Sequence, residues 1–244
     1  MRKSLLIKQL EIDMNQRLES LNKHYFVTSD STDAMRYWSR GNGTIIVKDG
    51  YLLCRTENPE LTKMLETKYH GCNAQWFGEV SNMKALEQLL HQFGYTITNY
   101  APFYVPIDPF MSYYDDAIQF YDRDEILQFK DNPSFSECFC FEEQDPDILG
   151  AALKIDGIIA GMAGINHNGQ NALEIGINIL PEYQHQGYAQ RLVKAITTEA
   201  MNRFPNFMIT YGTQFTHMQS INVASGAGFK YGFSQIIFSK INDK

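Results

Sequence analysis

The chain has 244 residues, of which 44% are hydrophobic, so it has enough apolar material for one large domain or two small ones. Its 21 Lys and Arg residues against 28 Asp and Glu residues give a formal charge of -7, which disfavours binding to the phosphate backbone of nucleic acids. No run approaches the roughly 18 consecutive apolar residues of a membrane span, and the apolar run near the start is too short for a signal peptide, so we expect a cytoplasmic protein that binds no membrane.

The first half of the chain alternates helix and strand patterns. Apolar residues three or four positions apart predict an amphipathic helix over residues 5–21. The dipeptide Asp49-Gly50 joins two β-rich runs, 43–48 and 51–55, and is typical of a two-residue hairpin turn. The pattern then predicts two helices that open at capping asparagines, a strand between them and a final extended segment, over residues 58–67, 82–93, 75–80 and 94–107 in that order.

Two prolines, Pro106 and Pro109, break this pattern and predict a domain boundary. We predict an N-terminal α/β domain over residues 1–110 and a second domain over residues 111–244. From Tyr113 to Asp147 there are eleven carboxylates and only two basic residues. This stretch is either a solvated acidic face or a field that attracts a cationic substrate.

The four cysteines lack the paired spacing of a zinc site, and we expect no metal. Reduced thiols that pack in the interior are the expected state of all four. Cys138 and Cys140 are two residues apart, so on a strand their side chains would share one face. No His lies close to them in the sequence, which disfavours a nucleophilic thiol.

The pattern is clearest in the second half. A strand over 117–121 and a short helix over 123–129 come first, and a three-strand antiparallel meander follows over 148–155, 158–165 and 172–180. The rest is predicted as a helix, a strand, a short helix and either one long strand or a hairpin, over residues 187–204, 207–211, 218–225 and 229–238.

The junction between the last strand of the meander and the helix after it is the most informative stretch. Its order is strand, turn, glycine-bearing loop and helix, and unpaired backbone N–H groups at a helix start can hold a phosphate or diphosphate. Gly187 and the small Ala189 let an anion approach the backbone closely. Neither the P-loop pattern nor the dinucleotide-binding glycine pattern is present.

The six residues Gln184-His185-Gln186-Gly187-Tyr188-Ala189 resemble, position for position, the diphosphate loop of the GNAT N-acetyltransferase superfamily. Ile179-Leu180-Pro181 resembles the strand end that precedes that loop, and Gly228-Phe229 stands where the superfamily commonly has Gly-Phe. The resemblance covers roughly residues 113–244. It implies an α+β protein with the GNAT acyl-CoA N-acyltransferase fold, in which helices flank a mixed central sheet.

The resemblance also implies where acetyl-CoA binds. The pantetheine arm would bond backbone groups of Ile177, Asn178 and Ile179 in a gap between the strands near 175–179 and 207–211. The diphosphate would lie on the loop and helix start. The implied loop contacts are Gln184, His185, Gln186, Gly187, Tyr188, Ala189 and Gln190, with His217 as a further cofactor contact.

Acyl transfer to an amine needs a base, a donor for the developing oxyanion and a proton for the departing thiolate. Glu174 is the candidate base, although a strand glutamate can also orient the substrate. A backbone N–H at or near Ile179 is the candidate oxyanion donor. Many relatives have a tyrosine four residues before Gly-Phe, where this chain has Ala224. That departure leaves Ser220, Tyr211 or solvent as the proton source.

The resemblance therefore predicts an N-acetyltransferase that moves an acetyl group directly to a primary amine of a small molecule or peptide in a ternary complex. A non-catalytic acyl-CoA-binding sensor is the alternative, because Ala224 and His217 replace the usual Tyr and Asn. His217 can equally be a helix-start residue or a proton carrier. The first half faintly resembles the second and is interpreted as a degenerate GNAT-like copy, with a docking module as the rival reading. The chain is expected to be a monomer or homodimer.

Overall fold

The computed structural model describes residues 2–241, including the side chains of residues 5–241. Its contacts divide these residues into two compact units. The N-terminal unit comprises residues 7–103 and 232–241, and the C-terminal unit comprises residues 2–6 and 104–231. Residue 1 and residues 242–244, which belong to the two predicted domains, lie outside the described residues. The predicted division after residue 110 stays a prediction.

The first 106 residues form three helices and four strands, among the described residues. These are α1 (Arg2–Asp13), β1 (Tyr25–Thr28), β2 (Gly43–Lys48), β3 (Tyr51–Thr56), α2 (Pro59–Tyr69), α3 (Val80–Gln92) and β4 (Tyr95–Pro106). The predicted hairpin is confirmed, because β2 and β3 pair antiparallel around Asp49 (φ 50°) and Gly50 (φ 85°). Positive φ at both turn residues matches the right-handed twist of the flanking strands. Strand β1 then pairs parallel to β3.

One predicted element of this half is too long and another is wrong. The first helix ends at Asp13 instead of continuing to residue 21, and Asn15 (φ 48°) adopts the left-handed conformation that stops it. The predicted strand over 75–80 is a single 3₁₀ turn, Ala74–Trp76, which the side chain of Asn73 caps. Asn82 does not cap α3, since its side chain donates to the Phe77 carbonyl oxygen at 2.6 Å.

The second half follows the predicted order. Its elements are β5 (Ile118–Asp122), α4 (Arg123–Ile126), β6 (Asp147–Ile155), β7 (Ile158–His167), β8 (Ala172–Ile179), α5 (Tyr188–Arg203), β9 (Met208–Gly212), α6 (Met218–Gly226) and β10 (Phe229–Lys240). In the C-terminal unit the strand order is β9-β8-β7-β6-β5. Strands β5 to β8 pair antiparallel, and β9 pairs parallel to β8. The predicted α+β class with a mixed sheet flanked by helices is confirmed.

The two faces of this sheet carry different layers. Odd-numbered residues of β8, including Leu173 and Ile175, pack with Leu192 and Ile196 of α5 in the main core. The even-numbered residues face a segment of irregular chain that includes Cys138 and Phe139. Alternating strand side chains make this separation possible. Helix α5 therefore lies on one face of β8, and Glu174 on the other.

The irregular segment lies directly against the sheet at two glycines. A Cβ atom at Gly164 would lie 2.0 Å from the Cys138 carbonyl oxygen, and one at Gly176 would lie 2.2 Å from the Glu137 carbonyl oxygen. Cys138 and Cys140 are therefore not on a strand, which corrects the expectation that they share a strand face. The buried Cys138 thiol donates to the Met162 carbonyl oxygen at 3.0 Å, and burial raises its pKa far above the usual range.

The N-terminal unit buries one ion pair completely. Asp13 and Arg36 are both inaccessible to solvent, and Arg36 Nε donates to Asp13 Oδ2 at 2.6 Å. Gln9 also donates to Asp13, at 2.8 Å, while Arg36 Nη2 donates to Gln235 Oε1 at 3.0 Å. The guanidinium lies against the ring of Phe233. Such a pair costs desolvation, which its hydrogen bonds must offset.

Candidate active site

Strands β8 and β9 diverge part of the way along their length. Their parallel pairing covers Ala172 to Glu174 on β8 and ends where Glu174 lies beside Thr210. Strand β8 continues to Ile179 and stays paired with β7 over that whole distance. Among residues 2–241, the edge of β8 from Ile175 to Ile179 therefore has no strand partner on its β9 side.

The direction of the backbone groups on this edge follows from three hydrogen bonds. Leu180 N–H donates to the Ala160 carbonyl oxygen, at 3.0 Å, on the β7 side. The carbonyl oxygens of Asn171 and Leu173 accept bonds from Met208 and Thr210 on the β9 side. Because N–H and C=O groups alternate sides along a strand, those of Ile177 and Ile179 face the gap and those of Asn178 face β7.

Asn178 is thereby separated from its two predicted neighbours. Its side-chain oxygen accepts a bond from the backbone N–H of Glu137 at 2.8 Å and lies 3.4 Å from the Cys138 sulfur. This residue holds the irregular segment over the sheet. Of the three predicted residues, Ile177 and Ile179 turn their backbone groups towards the gap.

Helix α5 begins without a side-chain cap. Gly187 is its N-cap residue and has φ 79°, and His185 in the loop before it has φ 61°. A Cβ atom at Gly187 would have no neighbour within 4 Å. The first N–H groups of a helix have no intrahelical partner, so here they are available to an anion.

The start of α2 differs from that of α5 because a side chain caps it. The side chain of Asn58 accepts bonds from the N–H groups of Glu60 and Leu61, and Pro59 has no N–H. The donors of α2 are thus satisfied within the chain. Of these two helices, only α5 presents the free donors that a phosphate needs.

Several predicted loop side chains are engaged within the protein. Gln184 donates to the Ile179 carbonyl oxygen at 3.2 Å, and Gln186 donates to the Glu182 carbonyl oxygen at 3.3 Å. Gln190 lies against Gly226 and reaches the Asn222 carbonyl oxygen at 3.4 Å, so it links α5 to α6. The predicted loop residues His185 and Gly187 are exposed, whereas Tyr188, Ala189 and Gln190 are half-buried.

These features fit a ligand that has an arm with amide groups and a diphosphate, as acetyl-CoA has. The arm would meet the Ile177 N–H and C=O groups and the Ile179 N–H on the β8 edge, and the diphosphate would meet the uncapped amides of α5. The Ile179 carbonyl oxygen already accepts the bond from Gln184. Open space at Gly187 admits the anion, which a side chain would obstruct.

Glu174 is half-buried on the face of β8 opposite α5. Asn168, in the turn between β7 and β8, donates a hydrogen bond from Nδ2 to Glu174 Oε2. Burial, followed by the charges of Asp147 and Glu174, raises the pKa of Cys140 to about 12. The carboxylate of Glu174 therefore lies close enough to the Cys140 thiol to affect its ionisation.

Ser220 and Tyr211 form a pair on the other face. Ser220 is the third residue of α6, and its Oγ lies 2.9 Å from the hydroxyl oxygen of the buried Tyr211. Burial raises the pKa of Tyr211 and the bond to Ser220 lowers it, with burial the larger effect. Ala224 is completely buried in the same core, and His217 is exposed at the start of α6 without capping it through its side chain.

The sequence did not predict that the Asn168 side chain bonds Glu174, because a turn already explains an asparagine at this position. The Asn168-Gly169 pair is a turn signal, and no local pattern reveals that the asparagine side chain points inward to Glu174. A cavity of about 320 Å³ elsewhere in the C-terminal unit, bordered by Tyr113, Asp116 and Glu199, includes none of the predicted site residues.

The described part of the chain has neither a helix that could span a membrane nor a cluster of metal-ligating side chains. Between residues 2 and 241, no helix has both the length and the apolar character needed to cross a membrane. Within the same residues, no group of three or more His, Cys, Asp or Glu side chains is arranged to hold a metal ion.

Solved structures include several partial likenesses at low sequence identity. A GCN5-related N-acetyltransferase from Kribbella flavida is 13% identical, with 65% of this chain and 64% of that chain covered and a TM-score of 0.45. A GCN5-related N-acetyltransferase-like protein from Streptococcus suis is 11% identical, with 80% and 83% covered and a TM-score of 0.43. A GNAT family acetyltransferase from Colwellia psychrerythraea is 13% identical, with 80% of each chain covered and a TM-score of 0.44.

No curated protein matches the sequence. A family model does match, and its description is the acetyltransferase (GNAT) family. The match covers residues 110–229, which include the meander, the uncapped helix α5 and the diverging strands β8 and β9. Through residues 110–229, the chain therefore belongs to the GNAT family of acetyltransferases.

Proposed function

We propose that the protein is an acetyl-CoA-dependent N-acetyltransferase that transfers the acetyl group directly to a primary amine of a small molecule or peptide. The observation that carries the proposal is the uncapped start of α5 at Gly187, beside the unpaired edge of β8. Both features lie within the part of the chain that belongs to the acetyltransferase family. A cytoplasmic location and a monomeric or homodimeric state stay predictions.

In this proposal the chain holds the cofactor mainly through its backbone. The Ile177 groups that face the gap bond the pantetheine arm, and the first amides of α5 bond the diphosphate. Acetyl-CoA, when bound, supplies the acetyl group as a thioester. His185 and His217 are both exposed, and the side chain of His217 does not cap α6. Both are therefore available as further contacts.

Three groups then act on the transfer. Glu174 accepts the proton of the acceptor ammonium, directly or through water, because an amine with a pKa near 10.4 is charged at neutral pH. The Ile179 N–H, which faces the gap, stabilises the negative charge on the carbonyl oxygen. Ser220 donates a proton to the departing thiolate and regains one from water, while the Tyr211 hydroxyl, 2.9 Å away, orients the serine.

Replacing Ala189 by Glu is expected to weaken CoA binding at least tenfold. The new carboxylate would lie beside the diphosphate and repel it, whereas an acidic residue in the first turn of a helix favours the fold through the helix dipole. Isothermal titration with CoA measures the loss. Ala189→Gln is the matched control of equal size, and equal affinities for the two variants would contradict the proposed diphosphate site.

Ser220→Ala is expected to lower kcat about tenfold at neutral pH. The effect is smaller than that of losing the base, because a thiol with an ordinary pKa near 8.5 leaves readily as a thiolate. Steady-state thiol release measures it, with Tyr211→Phe expected to give a similar loss. Ser225→Ala, on an exposed position of the same helix, is the control. Full activity of Ser220→Ala would remove the serine from the proton path.

The activity itself is tested by incubating the protein with acetyl-CoA and a panel of polyamines, aminoglycosides, amino acids and peptides. Thiol release with any of them supports the proposal. The second candidate is a non-catalytic acyl-CoA sensor, which the buried Ala224 favours because it carries no hydroxyl where many relatives have one. Tight CoA binding without thiol release from any acceptor would favour the sensor.

We further propose that residues 1–110 are a degenerate copy of the same fold. Both halves have, in order, a hairpin, two helices, a glycine with positive φ (Gly94, Gly228) and a strand of 12 residues, and in the second half strand β9 lies between the two helices. In each half the second hairpin strand has a parallel neighbour, which is β1 beside β3 and β9 beside β8. The self-capped start of α2 explains why this copy would bind no diphosphate.

A further inference from the structure

The turn between β7 and β8 places a buried amide against the proposed base. Asn168 follows the last residue of β7 and is only 1% exposed. Its backbone N–H donates to the Ala172 carbonyl oxygen at 2.9 Å, which closes the turn, and its side chain donates to Glu174 Oε2.

The turn does not need an asparagine for its backbone shape. The positive φ in this turn falls on Gly169 (φ 83°), and Asn168 is not among the residues with positive φ. Turn asparagines ordinarily bond the nearby backbone or adopt the left-handed conformation. The side chain of Asn168 also reaches a carboxylate six residues away. A buried amide is costly unless it is hydrogen-bonded, and the bond to Glu174 offsets part of that cost.

Another carboxylate lies near Glu174. Asn166 of β7 pairs with Glu174 of β8 on one side and with Asp147 of β6 on the other, so the two acidic residues flank it on one face of the sheet. Glu142, Asp145, Asp147 and Glu174 all lie close enough to Cys140 for their charges to raise the pKa of its thiol. His167 of β7 lies within range of the charges of Asp145 and Arg123, and burial lowers its pKa. Nearby negative charges favour the protonated form of a carboxyl, whereas an amide donor favours the ionised form.

We propose that Asn168 is a positioning residue that holds Glu174 by its Oε2 atom and keeps the carboxylate ionised among neighbouring carboxylates. This inference rests on the proposed function for its effect on catalysis, since Asn168 acts only through Glu174. Its electrostatic part concerns the protein without any ligand and is measured independently.

Nuclear magnetic resonance of the protein labelled with ¹³C at the glutamate carboxyl groups tests the electrostatic part. Glu174→Gln assigns the signal. Asn168→Ala is expected to raise the titration midpoint of Glu174 by about one pH unit, because it removes a hydrogen bond to a charged group. Asn168→Asp, which has nearly the same shape, is expected to raise it further by adding a like charge.

Gln170→Ala, on an exposed position of the same turn, is the control and is expected to leave the midpoint unchanged. Asn168→Ser is a second variant for the case in which Asn168→Ala does not fold, and its CoA affinity reports an intact fold. A Glu174 midpoint that is unchanged in every folded Asn168 variant would overturn the proposal.

The pH profile of kcat/KM tests the catalytic part once an acceptor is known. The acidic limb of the profile is expected to move to higher pH together with the measured midpoint. At pH values below the limb, the Asn168→Ala variant should therefore have about tenfold lower kcat/KM. Its affinity for CoA is expected to be unchanged. A moved midpoint with an unmoved limb would overturn the role of Asn168 in catalysis. A Glu174→Gln variant with full turnover would instead contradict the proposed base, and the electrostatic result would stand by itself.

Discussion

Glu174→Gln is expected to lower kcat by about 10² to 10⁴-fold while the affinity for CoA is unchanged. The amide keeps the size of the side chain but cannot accept a proton from the acceptor ammonium. Glu174 lies on the face of β8 opposite α5, so the change does not touch the amides proposed to hold the diphosphate. Steady-state thiol release gives kcat, and isothermal titration gives the affinity.

The Glu143→Gln variant is the control for the loss of one negative charge. Glu143 is exposed in the acidic stretch, and its substitution is expected to leave kcat unchanged. Equal turnover of wild type and Glu174→Gln would remove the carboxylate as a base and leave it the role of orienting the substrate. Equal and large losses in both variants would assign the effect to the charge of the stretch as a whole.

Asp13→Asn is expected to lower the free energy of unfolding by about 3–5 kcal/mol. The substitution preserves shape and creates no cavity, but it leaves the guanidinium of Arg36 buried without a compensating charge. For a chain of this length such a loss lowers the melting temperature by about 10 °C. Urea unfolding followed by circular dichroism measures the free energy.

Two further variants show whether the loss comes from the unpaired charge. Glu19→Gln breaks an exposed ion pair with Lys23 and is expected to cost less than about 1 kcal/mol. The double variant Asp13→Leu with Arg36→Met removes both charges and is expected to recover much of the stability. A cost for Asp13→Asn no greater than that of Glu19→Gln would show that the buried pair contributes little.

Local sequence patterns predicted most of the fold because they reflect interactions between residues that are close together in the chain. The Asp49-Gly50 turn, the Asn58 cap and the three-strand meander each depend on residues within a few positions of one another, and all are present. The predicted strand over 75–80 failed because a capped turn at Asn73 competes with a short β-rich run. The first helix was too long because Asn15 stops it, although apolar residues continue beyond at helical spacing.

The candidate site likewise has one part that the sequence predicted and another that it could not predict. The uncapped start of α5 follows from a short run around Gly187, so it was visible in the sequence. Which backbone groups of β8 face the gap depends on the register with β7 and on the point where β9 leaves β8, and no short run of residues specifies either, so Asn178 could not be separated from Ile177 and Ile179. The inward direction of Asn168 has the same origin, since burial of a turn side chain is set by what packs over it.

Strand β10 has a consequence for biosynthesis. Its residues Ser234 to Phe238 pair antiparallel with Val47 to Gly43 of β2, close to 190 positions earlier in the chain. A ribosome that has released the first 110 residues has therefore produced a sheet whose β2 edge still awaits its neighbour. Open strand edges promote association between chains, and pairing between distant segments is slow. The nascent polypeptide must keep this edge protected until β10 has emerged, so a gene fragment that encodes residues 1–110 alone would produce a sheet with an open β2 edge.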